Sequence, residues 1–166
     1  MKVARGPIFL IGFMGAGKTT TGRSLARLLG WDFIDLDEQI EGIEGRGIAE
    51  IFERDGEGYF RNAEASALAS LRGRGRLIVA CGGGSYAREE TRALIDAMGR
   101  AVWLRLPLQV ALARCRSGSS RPLLGSVPEA ETLYRSRLSS YRSAPLNVDA
   151  EGLSPEQVAE RIAALL

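Results

Sequence analysis

The sequence contains no histidine and only two cysteines, Cys81 and Cys115, which lie far apart and lack C-x-x-C spacing. The absence of histidine excludes catalytic triads built on histidine, and with the cysteine spacing it excludes a zinc site of cysteine and histidine ligands. We interpret both cysteines as reduced, small apolar residues. No run of 18 or more apolar residues occurs, so we expect no membrane-spanning helix.

A strong excess of charge is also absent. The net charge is +2 and no five like charges follow one another, so we expect neither a nucleic-acid nor a membrane partner. The N-terminal MKVARGPIFLIGF begins with basic residues and an apolar run, but the run is short and leads directly into glycines, so we do not expect a signal peptide. The length of 166 residues and the ordinary composition predict one globular domain, 1–166, in the cytoplasm.

Short apolar runs alternate with helical patterns along the chain. The runs that predict strands are IFLI at 8–11, FID at 33–35, LIVAC at 77–81, AVWLRL at 101–106 and LNVD at 146–149. Unbroken apolar runs are typical of strands that are covered on both faces. Five strands that alternate with helices predict an α/β fold with a five-stranded parallel sheet flanked by helices, in which ligands bind at the carboxyl ends of the strands.

Glycines and prolines predict where several helices begin and end. One helix runs from Lys18 to Leu29 and ends at Gly30, and another covers 49–55 and ends at Gly56, because glycine readily adopts the left-handed conformation that closes a helix. Two prolines occupy positions where further helices should begin, Pro107 and Pro128.

The C-terminal SPEQVAERIAAL predicts a capped helix. Ser154 is the expected N-cap and Gln157 the matching third residue, with Val158, Ile162 and Leu165 on one apolar face. We expect this face to dock on the rest of the domain.

The segment RCRSGSSRPLLGSVP, 114–128, lies between two predicted helices and is rich in arginine, serine and glycine. It is too polar for the core, so it is either a solvated loop or a functional lid.

The stretch GFMGAGKTT at 12–20 contains one of only two lysines in the chain. It matches G-x-x-x-x-G-K-[ST], directly after a predicted strand and at the start of a predicted helix, as that motif requires. Backbone N–H groups of such a loop hold phosphate at the positive end of the helix, the compact ammonium of Lys18 reaches the β and γ phosphates, and the hydroxyl of Thr19 binds Mg²⁺. The predicted nucleotide-binding residues of this loop are Gly12, Gly15, Ala16, Gly17, Lys18, Thr19 and Thr20.

Three further motifs follow predicted strands or lie on predicted helices. Asp35 and Asp37 are two residues apart, so on an extended segment they would share one side and could hold a metal; the alternative for Asp37 is an acid at a helix start. Arg61 and Glu64 are three residues apart and can pair on a helix, although such pairs are often surface features without function. The glycines at 82–84 either admit a ligand close to the backbone or form a simple turn.

Four of these motifs, in this order, resemble the shikimate kinase family: GFMGAGKTTTGRSLARLLGWDFIDLDEQIE, GIAEIFERDGEGYFRNAE, CGGGS and RPLL. The resemblance runs from the phosphate loop to the last arginine-rich helix. It implies a P-loop NTPase fold with a substrate-binding segment at about 37–64 and a flexible lid at about 114–128. It also implies a monomeric enzyme that uses ATP and Mg²⁺ to phosphorylate the 3-hydroxyl of shikimate, on the route to chorismate and the aromatic amino acids.

The resemblance assigns roles at the nucleotide. Asp35 assists Mg²⁺, through water, next to Thr19. Arg114 lies against adenine, and Arg121 in RPLL reaches the transferring phosphate, where guanidinium groups stabilise developing charge. With Lys18, Arg121 is a predicted catalytic residue.

The resemblance also assigns roles at the acceptor. Asp37 is the third predicted catalytic residue and hydrogen-bonds the acceptor hydroxyl as base or orienter; because an aspartate with a pKa of about 3.9 matches an alcohol poorly, we favour orientation. Arg61 binds the substrate carboxylate and Glu64 fixes its guanidinium. The remaining residues implied to line the acceptor site are Phe52, Phe60, Gly82, Gly83 and Gly84.

Arg137, four residues before Tyr141 on a predicted helix, corresponds to a second carboxylate-binding arginine. Other arginines of RSRLSSYRS are alternatives, and Arg137 could also be an ordinary exposed helix charge. Two further functions compete with shikimate phosphorylation: another small-molecule kinase, acting on gluconate or a nucleoside monophosphate, and a nucleotide-binding module without transfer chemistry.

Overall fold

The computed structural model describes residues 6–116 and 126–166. Five strands form one parallel sheet in the order β2-β3-β1-β4-β5. The strands are β1 Ile8–Ile11, β2 Asp32–Asp35, β3 Leu77–Ala80, β4 Arg100–Arg105 and β5 Leu146–Asp149. The predicted α/β fold with a five-stranded parallel sheet is confirmed, and each strand lies within one residue of its predicted bounds.

Seven helices connect or flank these strands in the described residues. They are α1 Lys18–Leu29, α2 Leu36–Glu44, α3 Ile48–Ala69, α4 Glu89–Met98, α5 Leu108–Arg116, α6 Val127–Arg142 and α7 Pro155–Leu165. None of them is both long and apolar enough to span a membrane. Because β1 lies in the middle of the sheet, the loop that follows it opens at the centre of the sheet's carboxyl edge.

Burial differs between the central and the edge strands. Every residue of β1 and β3 is buried, as their apolar runs predict. The edge strands β2 and β5 are only partly buried, and Asp32 of β2 is exposed. The expectation that all five strands are fully buried is therefore wrong for the two edge strands, whose backbone has a neighbouring strand on one side only.

The predicted helix boundaries are largely observed. Gly30 closes α1 in the left-handed conformation. Gly56 has φ 82° and ψ 174° inside α3, so the helix predicted to end there does break, and a second helical stretch continues to Ala69. The carbonyl of Pro107 accepts the first hydrogen bonds of α5, and Pro128 lies in the first turn of α6.

Helix α7 has the predicted capping box between Ser154 and Gln157. Val158 and Ile162 are buried, but Leu165 is 47% exposed, so its place on the packed face is a wrong prediction. Leu166 packs against the core instead and is partly buried. Residues four apart share one face of a helix, so Leu166 follows Val158 and Ile162 on the packed face.

Candidate active site

The phosphate loop connects β1 to α1. Gly15 and Gly17 have φ 77° and 85°, and a Cβ on Gly15 would lie 2.6 Å from the carbonyl oxygen of Ala111, so the loop requires glycine there. Gly17 is also the N-cap of α1 and carries no side chain that could cap it. The N-terminal N–H groups of α1 are therefore not shielded by a capping side chain, as a phosphate site requires.

Lys18 is buried at the start of α1. Its Nζ donates hydrogen bonds to the carbonyl oxygens of Gly12 at 2.7 Å and Phe13 at 3.0 Å. A buried ammonium needs hydrogen-bond acceptors, and these two carbonyls keep the Nζ of Lys18 next to the loop. Ala16, also predicted to bind nucleotide, is buried, and its backbone N–H donates to Phe13 within the loop.

A cleft of about 190 Å³ opens beside this loop. Its lining residues are Gly15, Gly17, Lys18, Thr19, Thr20, Asp35, Asp37, Cys81, Arg114 and Cys115. Nη1 of Arg114 lies 3.3 Å from the carbonyl oxygen of Gly15. Most of the predicted nucleotide and metal residues thus meet in one place, whereas the predicted residue Arg121 lies in 117–125, outside the described residues.

The ends of the predicted lid are helical. Arg114 and Cys115 belong to α5, and Val127 and Pro128 belong to α6. The expected loop over 114–128 is therefore too long at both ends, since the two helices extend into it. Its middle falls outside the part of the chain that the structure describes.

Asp35 joins β2 to both neighbouring elements. Its Oδ2 accepts a 2.6 Å hydrogen bond from the hydroxyl of Thr19, and its Oδ1 accepts one of 3.1 Å from the backbone N–H of Glu38, which makes it the N-cap of α2. The strand therefore ends at Asp35, and Asp37 lies in the first helical turn. The inference that the two aspartates share a side of an extended segment is wrong, although both line the cleft. The spacing of Asp35 and Glu38 is a helix-start signal that could have revealed this.

The oxygen atoms of Thr19 and Asp35 are of the type that Mg²⁺ prefers. Within the described ranges, no three acidic or cysteine side chains cluster to form a metal cage. This donor set fits a cation bound mostly by phosphate oxygens and water, with few protein ligands.

The residues predicted to bind the acceptor lie partly on the second half of α3. Nη1 of Arg61 donates to Oε1 of Glu64 at 3.0 Å, and Nε lies 3.4 Å from Oε1 of Glu57. Glu64 is completely buried and also receives a 2.7 Å hydrogen bond from the hydroxyl of Ser85. Because the side chain of Arg61 is only 11% exposed, this is not an ordinary surface pair.

The glycines at 82–84 follow β3 and pass close to three predicted site residues. An added Cβ along this segment would lie 3.2 Å from Oδ1 of Asp37, 2.9 Å from Nη1 of Arg137 and 2.6 Å from Nη2 of Arg61, in that order. The segment does form a turn, because the N–H of Ser85 donates to the carbonyl of Gly82. Its bare backbone, however, makes room for side chains of the site itself, one at each glycine.

Arg137 on α6 borders the glycine segment 82–84, next to the other residues predicted to bind the acceptor. Its guanidinium carbon lies 5.8 Å from the ring centroid of Phe13, whereas Arg135 pairs with Glu131 and is 74% exposed. The hydroxyl of Tyr141 donates a 2.6 Å hydrogen bond to the carbonyl of Gly83, and burial raises the pKa of Tyr141 to about 12, which keeps that donor neutral. Arg137 is therefore not an exposed helix charge.

Two aromatic rings lie on either side of the break at Gly56. The centroids of Phe52 and Phe60 are 4.8 Å apart; Phe60 is buried, and Phe52 is 38% exposed. The guanidinium of Arg61 lies 5.2 Å from the centroid of the Phe60 ring. Phe60 thus packs against both Phe52 and the guanidinium of Arg61.

Sequence reasoning missed three residues of this region. Ser85 directly follows the three glycines in CGGGS. This position next to predicted site residues was the only sequence signal that could have indicated its role. Cys81 follows β3 at the carboxyl edge of the sheet, and both cysteines line the cleft. Burial raises the pKa of the Cys81 thiol well above its usual range, which keeps the thiol neutral.

Known proteins resemble this chain in sequence and in fold. A sequence model of the shikimate kinase family matches residues 14–166. The shikimate kinase of Persephonella marina is 38% identical over 156 residues, which cover 93% of this chain and 95% of the relative. The structure of the Acinetobacter baumannii shikimate kinase in complex with shikimate superposes with a TM-score of 0.89 and 36% identity, covering 97% of this chain and 92% of that one. The Aquifex aeolicus enzyme superposes with a TM-score of 0.85 and 37% identity, covering 95% and 94%. The chain therefore belongs to the shikimate kinase family.

Proposed function

We propose that the chain transfers the γ-phosphate of ATP to the 3-hydroxyl of shikimate, giving shikimate 3-phosphate and ADP. The observation that carries this proposal is the position of Asp37. It lines the phosphate cleft with Lys18 and Thr19, and its Oδ1 lies beside Gly82, at one end of the segment that also contacts Arg137 and Arg61. A hydroxyl held at Asp37 is therefore placed between the nucleotide and the acceptor residues.

Two guanidinium groups next to this acid favour an acceptor that carries a carboxylate. Arg61 and Arg137 both border the glycine segment 82–84. Arginine binds carboxylates through paired N–H groups, and a closed site that leaves such groups unpaired rejects uncharged acceptors. Phe52 and Phe60 supply the apolar wall against which the ring of shikimate would lie.

At the nucleotide, the amides of loop 12–17 and Lys18 would hold the phosphates. Thr19 and Asp35 would hold Mg²⁺, which neutralises charge on the β and γ phosphate oxygens when it is bound. Asp37 would orient the acceptor hydroxyl for an in-line attack. We keep Arg114 as the predicted adenine contact and Arg121 as the group that stabilises the transferring phosphate.

We also propose that the protein acts as a monomer in the cytoplasm, where ATP is available. The described residues of one chain supply both the cleft and the acceptor side. A sedimentation experiment at working concentration would test the oligomeric state, and a dimer would contradict it.

The function is tested by mixing the purified protein with ATP and Mg²⁺ and following ADP release. We expect release that depends on shikimate, with little or none in the presence of gluconate, nucleoside monophosphates or no acceptor. Phosphorus NMR of the product should show the phosphate on the 3-hydroxyl. Turnover with another acceptor alone would indicate a different kinase, and ATP binding without acceptor-dependent turnover would indicate a nucleotide-binding module.

A further inference from the structure

Ser85 lies immediately after the three glycines and is completely buried. Its hydroxyl donates a 2.7 Å hydrogen bond to Oε2 of Glu64, which is also completely buried. Buried hydroxyls are normally hydrogen-bonded, but here the acceptor is the carboxylate that holds the site arginine Arg61. Ser85 is therefore one step removed from the predicted acceptor site.

The two oxygens of Glu64 have different partners. Oε1 accepts a 3.0 Å hydrogen bond from Nη1 of Arg61, and Oε2 accepts one from the hydroxyl of Ser85. One hydrogen bond leaves the terminal torsion of a glutamate free to turn, because that torsion is broad. Two bonds on opposite oxygens fix the plane of the carboxylate, and the direction of the Arg61 guanidinium follows from that plane.

The backbone of Ser85 is also held on two sides. Its N–H donates to the carbonyl of Gly82 at 3.2 Å, and its own carbonyl accepts a hydrogen bond from the buried hydroxyl of Thr91 on α4. Gly84 also borders the Arg61 guanidinium, because a Cβ there would lie 2.6 Å from Nη2. Arg61 thus contacts both a carboxylate held by Ser85 and the backbone of the glycine segment.

We propose that Ser85 is a positioning residue: through Glu64 it sets the direction in which Arg61 presents its guanidinium to the carboxylate of the acceptor. This proposal rests on the function proposed above. It assigns Ser85 to acceptor binding and not to the transfer step, since its hydroxyl is committed to Glu64, the carboxylate that holds Arg61.

The first test is steady-state kinetics of Ser85→Ala. We expect the KM for shikimate to rise about tenfold, because one charge-assisted hydrogen bond is lost, while the KM for ATP and kcat stay within about twofold. Ser85→Thr keeps the hydroxyl and should return the KM toward its original value. The control is Ser70→Ala, since Ser70 donates a 2.6 Å hydrogen bond to the carbonyl of Ala67 at the far end of α3 and should leave all constants unchanged.

The second test separates positioning from a general loss of structure. In an Arg61→Gln background, Ser85→Ala should raise the KM for shikimate no further, because the guanidinium it positions is gone. The same tenfold rise in both backgrounds would overturn the proposal, as would an unchanged KM in the single variant. If thermal denaturation shows that Ser85→Ala is not folded, Ser85→Cys replaces it, because a thiol is similar in size to the hydroxyl but is a weak hydrogen-bond donor. The KM for shikimate is then compared in the same two backgrounds. If the unaltered protein does not phosphorylate shikimate at all, the proposed function fails and the role of Ser85 fails with it; if the unaltered protein is active and the KM of Ser85→Ala is unchanged, only the role of Ser85 fails.

Discussion

The hydroxyl of Thr19, at the start of α1, donates a 2.6 Å hydrogen bond to Oδ2 of Asp35, at the end of β2. The other oxygen of the same carboxylate caps α2. A single side chain therefore ties the phosphate loop to the helix that carries Asp37. Its charge and its capping role can be separated by substitution, because asparagine caps helices about as well as aspartate.

Asp35→Asn should keep the fold and weaken the response to Mg²⁺. We expect the Mg²⁺ concentration for half-maximal activity to rise about 10- to 100-fold, the usual effect of losing a partner that supports a metal ligand. The measurement is activity and ATP affinity as functions of free Mg²⁺. Asp32→Asn is the matched control, since Asp32 lies on the same strand and pairs with Arg74 at the surface. Identical Mg²⁺ curves for Asp35→Asn and the unaltered protein would contradict the metal assignment.

Lys18→Ala should lower both nucleotide affinity and turnover, with kcat falling by about 100- to 1,000-fold, as when one preorganised charge at a reacting phosphate is removed. Lys18→Arg should fail as well, because Nζ is buried between two loop carbonyls 2.7 and 3.0 Å away, which a planar guanidinium cannot match. Calorimetric ATP binding and turnover of the two variants provide the check. Full activity in Lys18→Arg would show that a point charge is not required.

Asp37→Asn should spare ATP binding and reduce transfer by about 100- to 10,000-fold, the range for a group that handles the proton or orients the hydroxyl. The relevant comparison is the ATP dissociation constant against kcat with shikimate. An equal loss in both would instead assign Asp37 to the nucleotide. A variant with normal kcat would remove Asp37 from the catalytic set.

Arg61→Ala should raise the KM for shikimate about 10- to 100-fold, since hydrogen bonds to a charged group are lost. It should also destabilise the protein by about 3 kcal/mol, because the buried carboxylate of Glu64 loses its cation. Adding Glu64→Gln to this variant removes the buried charge and should recover much of the free energy of unfolding without recovering the KM. Urea denaturation and acceptor kinetics of the single and double variants separate the two effects; a KM that recovers with stability would argue against carboxylate binding.

Alanine substitutions at 82–84 should damage acceptor binding more where the added Cβ has less clearance. We expect Gly84→Ala to lower kcat/KM for shikimate most, by about 10- to 100-fold, since its Cβ would press on Arg61. Gly83→Ala, against Arg137, should follow, and Gly82→Ala should have the smallest effect. Gly58→Ala on α3 has open space around its Cβ and should be neutral or stabilising by about 0.5 to 1 kcal/mol. Equal kinetics in all four variants would show that these clearances do not matter.

Local patterns predicted the sheet and the phosphate loop because each depends on residues close together in sequence. The strands β1 and β3 can be recognised from their own apolar runs. The phosphate loop can be recognised from the motif that ends with Lys18 and Thr19. The last residue of β2 was predicted correctly, but the backbone from Asp35 to Asp37 was wrongly expected to stay extended, because Asp35 belongs to both a strand and a helix cap.

Contacts between distant segments could not be predicted from local patterns. Ser85 and Glu64 are 21 residues apart, and their hydrogen bond exists only because the fold brings α3 close to the segment that follows β3. The choice of Arg137 among the arginines of its segment was likewise open on sequence grounds. Its side chain is distinguished by its approach to Gly83, a residue more than fifty positions earlier in the chain.

The left-handed break at Gly56 divides α3 into two helical stretches, with Phe52 before it and Arg61 after it. In an unbroken helix, one inserted or deleted residue turns everything on one side by about 100° relative to the other. At the non-helical Gly56, the direction of the side chains in the second stretch is not fixed by the helical repeat of the first. The stretch that carries Phe52 can therefore change in length or composition without rotating Arg61 away from Glu64, whereas a change in length between Phe60 and Glu64 would alter their shared helical face.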